Sequence, residues 1–252
     1  MATTCLVDEL TEVTKDPICF TGDLNADIDH IPAVTNMIHH ENWIDIGGES
    51  TRPGAEKVSI EEEIRRTIPL VEEISKFCNV SIDTRNVEVA KLALEAGAKM
   101  INDVSGLRDK AMQDLVIESE CHVCIMHMLG EPGNMQDNPQ YSDVAEEVNS
   151  ILISKARELV DMGHSMDKIH LDPGIGFGKK LKHNIALLKS SSELKPYSVL
   201  WGVSRKTMIG EICNQPDTAD RLSGSLAVAA KAFYVGIDFI RVHDGREHAD
   251  LF

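Results

Sequence analysis

Short apolar runs alternate with longer segments of helical period along most of the chain. The runs are "WIDIGG" (43–48), "VSIDT" (80–84), "MINDVSG" (100–106), "HVCIMHM" (122–128), "IHLDPG" (169–174), "VLWGVS" (199–204) and "FIRVHD" (239–244). They are apolar on both faces, the pattern of parallel strands covered by helices. Between them, "SIEEEIRRTIPLVEEISKF" (59–77) opens with Ser59 and Glu62 at capping-box spacing and repeats Ile64, Ile68, Val71 and Ile74 at helical intervals. "NVEVAKLALEAG" (86–97) has Asn at the cap position and a terminal Gly. Segments 142–163 and 220–236 behave likewise. Seven runs are evident and an eighth strand is expected within the first 25 residues. Eight such units close most simply as a (β/α)8 TIM barrel, one α/β domain over residues 1–252. An open doubly wound sheet is the alternative. It usually carries a Gly-rich phosphate turn after its first strand, and no G-x-G-x-x-G is present.

Composition narrows the function classes. The 252 residues suit one barrel, and 42% hydrophobic residues suffice for a large core. Only 4% aromatic residues argue against an aromatic-lined carbohydrate or single-strand groove. With 41 Asp+Glu against 25 Lys+Arg, a net charge of −16 disfavours nucleic acid and anionic membranes as partners. No apolar run has membrane-spanning length and "MATTCLVDEL" lacks a signal-peptide core, so a cytoplasmic protein is expected. The six scattered cysteines read as reduced thiols. "CHVC" (121–124) has no second Cys pair at metal-ligand spacing and continues as an apolar strand. Glu61-Glu62-Glu63 reads as a solvated helix start, His39-His40 as the surface end of a helix, and Trp43 and Trp201 as packing. Met126 and Met128, with Ile125, read as lining the barrel or the wall of its ligand slot and not as metal ligands.

The chemistry sits where a barrel enzyme needs it. Strand ends ring one face of such a barrel. Here they carry Asp45 and Glu49, Asp83, Asn102 with Asp103, His127, Asp172, Ser204-Arg205-Lys206, then Arg241, His243 and Asp244. Solubility alone does not explain such a ring. Asp83, Asn102 and Asp172 offer carboxylates and an amide, suited to a flat heterocycle presenting N–H donors, such as an aminopyrimidinone. Lys206, Arg241, His243 and Arg52 supply the opposite sign, suited to a phosphate-type group. His127 stays open between packing and ligand contact. Strand alternation puts Arg241 and His243 on one side of the last strand.

These residues lie in "IDIGGESTRPGA", "SIDTRNVEVAKLALEAGAKMINDVSG", "CIMHM", "LDPGIGFGK", "GVSRKTMIG", "RLSGSLA" and "IRVHD". Together, in this order and spacing, the segments closely resemble dihydropteroate synthase. The resemblance implies a TIM barrel that joins a pterin methyl diphosphate to p-aminobenzoate with release of pyrophosphate. It places the pterin against Asp83, Asn102, Asp172 and Lys206, and the diphosphate against Arg52, Arg241 and His243. It puts aminobenzoate against Thr51, Pro53, Phe177 and Thr207, and catalysis on Lys206, Arg241 and His243. It also implies Mg²⁺ as cofactor and a homodimer. Two ends depart from the family pattern. The family's Asn-Val-Thr-Pro-Asp-Ser-Phe loop is matched only by "EVTKDPICFTGD" (12–23), where Glu12 replaces the Asn and becomes the candidate metal ligand. After the last strand only "REHADLF" (246–252) remains, so an altered first strand and loop and a truncated last helix are expected. Two alternatives remain: a pterin-binding barrel with impaired catalysis, as in part of a folate-pathway fusion, and a methyltetrahydrofolate methyltransferase barrel. A methyl transfer needs no diphosphate clamp.

Overall fold

The structure is a computed structural model that describes residues 33–38, 43–51, 57–131 and 133–251. Eight strands close a barrel in sequence order: β1 (Ala33–Ile38), β2 (Trp43–Gly47), β3 (Asn79–Asp83), β4 (Met100–Asp103), β5 (His122–Met126), β6 (Ile169–Asp172), β7 (Ser198–Gly202) and β8 (Phe239–Val242). Strands β2 to β8 run parallel and coincide with the seven apolar runs. Helices α1 (Ile60–Ile74), α2 (Val87–Glu95), α3 (Lys110–Ser119), α4 (Val144–Asp161), α5 (Leu181–Ser190), α6 (Thr207–Cys213), α7 (Leu222–Tyr234) and α8 (Gly245–Ala249) connect or follow them.

The closing strand departs from expectation. It is Ala33–Ile38, a segment read as leading into a helix end at His39-His40, and it pairs antiparallel with both β2 and β8. Only residues 39–42 link it to β2, whereas a parallel crossover needs a dozen residues or more. That short link dictates the reversal. Residues 1–25, where the first strand was expected, and His39 and His40 lie outside the described residues. A five-residue helix, Gly245 to Ala249, follows β8.

The main core lies between barrel and helices. Ile46, Ile82, Ile101, Val123, Leu171 and Val199 are buried there with α1 residues Leu70 and Val71 and α4 residues Leu152 and Leu159. Trp201 is fully buried and its indole Nε1 donates to Ser191 Oγ at 2.9 Å. Strand starts pack the barrel floor with rings. Trp43 meets Phe239 edge-on at 6.3 Å, and His122 stacks on His170 at 5.2 Å between ring centres. Both Trp residues are packing, and Cys121 and Cys124 are buried thiols beside and within β5.

Helix α1 begins as half of a capping box. Ser59 Oγ accepts from Glu62 N at 3.3 Å, but Glu62 turns to Arg65 and Arg66. Glu63 overturns the solvated reading of this run, being only 1% exposed. Thr84 Oγ1 and Asn86 Nδ2 donate to its two carboxylate oxygens at 2.6 and 2.5 Å. Gly48 lies against it, since a Cβ there would come within 2.8 Å of Glu63 Cγ. Glu63 thus pins the loop after β3, directly behind Asp83. Glu63→Gln would turn an amide donor toward a donor, and should destabilise the protein by about 1–3 kcal/mol. Glu61→Gln, on the exposed face, should stay within about 0.5 kcal/mol of wild type. Chemical denaturation of both variants checks this, and equal effects would contradict it.

Candidate active site

The polar strand ends divide into two groups by what they touch. The first group holds the rim together. Glu49 pairs with Arg85 at 2.9 Å. Asp103 accepts from Ser105 N and Leu107 N, at 2.7 and 2.9 Å, and so closes the β4 turn. Arg205 makes a two-point ion pair with Asp244, one arm being Nε to Oδ2 at 2.8 Å. That pair ties the loop after β7 to the loop after β8. Arg205 has φ 55°, a conformation unfavourable for a side-chain-bearing residue. The strain falls immediately before Lys206.

His127 belongs to this rim group too. Lys179 Nζ lies 3.0 Å from its Nδ1 and donates to His127 O at 3.1 Å and Phe177 O at 2.9 Å. Burial and then the Lys179 charge push His127 down to about 3, so it is neutral in working conditions. Lys179 itself is pushed down to about 7 by burial, against the attraction of Asp172. It staples β5 to the glycine-rich loop of residues 173–178. In that loop Gly174 has φ +67°, and a Cβ there would lie 1.9 Å from His127 O. The sequence reading missed Lys179. Its one signal was a lysine at the end of a tight Gly-rich turn, where a solvent-facing side chain is the usual reading.

The second group faces the barrel mouth from inside. Asp172 is 6% exposed and its Oδ1 accepts from Gly174 N at 2.7 Å. A Cβ on Gly202 would lie 3.7 Å from both Asp172 Oδ2 and Lys206 Nζ, so the two groups flank one spot at the end of β7. Lys206 Nζ donates to Ile175 O and stands 4.4 Å over the Phe177 ring. Burial lowers its pKa to about 8 despite Asp172. Phe177 packs on Val104, Met126, Met128 and Met135, an apolar wall beside the polar slot. Asn102 donates to Asp45 Oδ2 at 3.2 Å.

Arg241 lies across this group. Its Nε donates to Asp45 Oδ2 at 2.6 Å and its NH2 to Asp83 Oδ2 at 3.1 Å. Burial opposes its charge, but the two carboxylates raise its pKa overall. Burial and then Asp45 push Asp83 up to about 7, against the pull of Arg241. His243 follows β8 on the exposed rim and shares a hydrogen bond with Ser204 Oγ at 3.1 Å. Thr51 lies in the loop after β2 and is half-buried, and Thr207 begins the helix after β7 and is exposed. The structure therefore brings Asp83, Asn102, Asp172, Lys206 and Arg241 into one cup, with Phe177 on its wall. Asp45 completes the cup. It was legible as a strand-end carboxylate, but nothing in its neighbourhood along the chain pointed to a role.

Arg52, Pro53 and Glu12 lie outside the described residues. Among the described residues no three His, Cys, Asp or Glu side chains are placed to hold a metal ion. Asp45 and Asp83 are engaged by Arg241. A Mg²⁺ site built on Glu12 falls outside the described residues.

Lys179 generates a stability test. Its pKa is lowered in the fold, so between about pH 7 and its ordinary 10.5 the unfolded chain holds a proton that the folded chain lacks. Stability therefore rises with pH across that window. Lys179→Met removes the effect. The wild type should gain on the variant from about pH 7 to about pH 9.5, by at most about 1.4 kcal/mol per pH unit. A constant gap in urea unfolding would contradict this.

Comparison with known proteins agrees with the cup. The family model for pterin binding enzymes matches residues 9–243. The chain is 42% identical over 243 residues to a dihydropteroate synthase of Escherichia coli strain K12, covering 94% of this chain and 86% of that one. Its fold superposes with a TM-score of 0.79 on Yersinia pestis dihydropteroate synthase in a sulfonamide drug complex, at 40% identity over 83% of this chain and 77% of that one. The Burkholderia cenocepacia dihydropteroate synthase complexed with 7,8-dihydropteroate gives a TM-score of 0.78 at 41% identity, covering 83% and 78% of the two chains. Among the described residues, no helix is long and apolar enough to cross a membrane. A cup of convergent carboxylates, amide and cations at the ends of parallel strands, with these likenesses across most of the chain, places the protein in the dihydropteroate synthase family of pterin-binding enzymes.

Proposed function

We propose that this chain condenses 6-hydroxymethyl-7,8-dihydropterin diphosphate with p-aminobenzoate, giving 7,8-dihydropteroate and pyrophosphate. The observation that carries the reading is the cup in which Asp83, Asn102 and Asp172 converge with the cations Lys206 and Arg241. Asp83 and Asp172 accept the N–H donors of the pterin's guanidine-like edge, and Asn102 fills the remaining polarity. Arg241, with His243 at the rim and Arg52, takes the diphosphate. Phe177, under Lys206, forms the wall against which the aminobenzoate ring lies, with Thr51, Pro53 and Thr207 around its carboxylate end.

In this geometry the C–O bond between the pterin methylene and the diphosphate breaks, and its electron pair leaves on the diphosphate oxygen. Arg241 and His243 meet the charge developing there, where donors act most strongly. The pterin ring spreads the positive charge left on carbon, and Asp83 and Asp172 lie near enough to favour it. The aryl amine attacks that carbon and then gives up one proton to the departing pyrophosphate or to water. Its nitrogen is neutral near pH 7, so binding in line is the main demand and no strong general base is needed. The expectation of Mg²⁺ rests on Glu12 and the family resemblance, and no step here depends on it. A homodimer has a candidate surface on α6 and α7, where Ile212, Phe233 and Tyr234 are 56%, 69% and 82% exposed. The reading favours the synthase over a methyltransferase, because Arg241 sits beside the pterin side of the cup, where a methyl transfer has no anion to hold.

Pyrophosphate release on incubation with the pterin diphosphate and p-aminobenzoate tests the proposal. Arg241→Ala should lower kcat/KM by about 100-fold or more. It should weaken binding of the diphosphate substrate at least about 10-fold, and of a bare pterin far less. Absence of pyrophosphate release from a wild-type protein that binds pterin would favour a barrel with impaired catalysis. Equal loss for both ligands would show that the cup is divided differently.

A further inference from the structure

Arg241 has two carboxylate partners, and they stand in unequal positions. Asp45 is fully buried, whereas the side chain of Asp83 is 11% exposed. In the β2–β3 register Asp45 faces Ser81 and Gly47 faces Asp83, so Asp83 lies two residues nearer the mouth. At about 3.3 Å per residue that is one full layer of the barrel. A ligand entering from the mouth meets Asp83 and does not reach Asp45.

We propose that Asp45 is a positioning residue that keeps Arg241 anchored through Nε, while Asp83 is an exchangeable partner that a pterin removes, freeing the outer edge of the guanidinium for the diphosphate. This rests on the reading of the cup as a pterin slot beside a diphosphate clamp. Three observations carry it. First, among the described residues Asp45 Oδ1 is buried without a hydrogen-bond partner, and Asp45 is held by Arg241 and by the longer contact from Asn102 at 3.2 Å. Losing Arg241 would leave a buried carboxylate with one neutral donor, a costly state. Arg241 therefore stays on Asp45 when ligands arrive. Second, the bond to Asp83 is the longer of the two, 3.1 Å against 2.6 Å, and Asp83 gains replacement donors from the pterin. Third, an arginine held by Nε still presents the NH1 and NH2 edge, the arrangement that takes two phosphate oxygens at once.

Pterin and diphosphate binding are then coupled through one side chain, and the coupling is reciprocal. Isothermal titration of inorganic pyrophosphate into the intact protein, with and without saturating 6-hydroxymethylpterin, reads it directly. The pterin should tighten pyrophosphate at least about 5-fold. Unchanged or weakened affinity overturns the proposal. Two isosteric variants, titrated without pterin, separate the roles. Asp83→Asn removes the competitor and should tighten pyrophosphate, whereas Asp45→Asn loosens the anchor and should weaken it. A general charge effect would tighten both, so shifts in one direction, or none, overturn the proposal. Thermal melts establish that each variant is folded. Should Asp45→Asn not fold, the wild-type coupling and Asp83→Asn still decide. A protein that takes pyrophosphate but no pterin refutes the functional reading, while the variants still judge the anchor.

Discussion

A guanidinium inside a barrel is the constraint around which the rest of this site is arranged. Arg241 could not occupy that position without Asp45 and Asp83, because an unpaired buried charge is worth several kcal/mol of destabilisation. Within the cup three carboxylates, Asp45, Asp83 and Asp172, face two cations, Arg241 and Lys206. Burial raises the pKa of Asp83 and Asp172 and lowers that of Lys206, so each is held where loss of its charge is easy. Such a site is short of N–H donors toward its carboxylates, and donors arriving on Asp83 would release Arg241 for an anion. A flat heterocycle with a guanidine-like edge and a diphosphate tail supplies both.

The rim exists to keep those charges in register. Arg205 with Asp244, Lys179 with His127, and Glu63 with Thr84 and Asn86 each join loops from neighbouring strands. They use the same residue types as the cup, but these bonds run between protein groups. Lys179 is the sharpest case, since its ammonium bonds two backbone carbonyls and an imidazole while its neighbour Phe177 is left to form the wall of the slot.

Much of this was legible in the sequence because parallel strands covered on both faces read as bare apolar runs, and barrel chemistry gathers at their ends. The seven runs therefore located β2 to β8, and reading past each run found Asp83, Asn102, Asp172, Lys206 and Arg241. Whether a strand-end polar residue faces a ligand or a neighbouring loop was not legible, because that depends on partners distant in the chain. Glu63 looked like part of a charged helix start until Gly48 and the loop after β3 closed over it. His127 and Asp103 sit at strand ends like Asp172, yet bind only protein. The direction of β1 was hidden for another reason. It follows from a four-residue link, not from the periodicity of Ala33–Ile38.

The central claim is that one arginine, anchored from below by Asp45, changes partners above when the site fills. A crystal structure of the protein with 6-hydroxymethylpterin and pyrophosphate tests it most directly. The account predicts Arg241 Nε still on Asp45, Asp83 turned to the pterin, and Arg241 NH2 on a phosphate oxygen. Arg241 withdrawn from Asp45, or still on Asp83 with the phosphate held elsewhere, would contradict it.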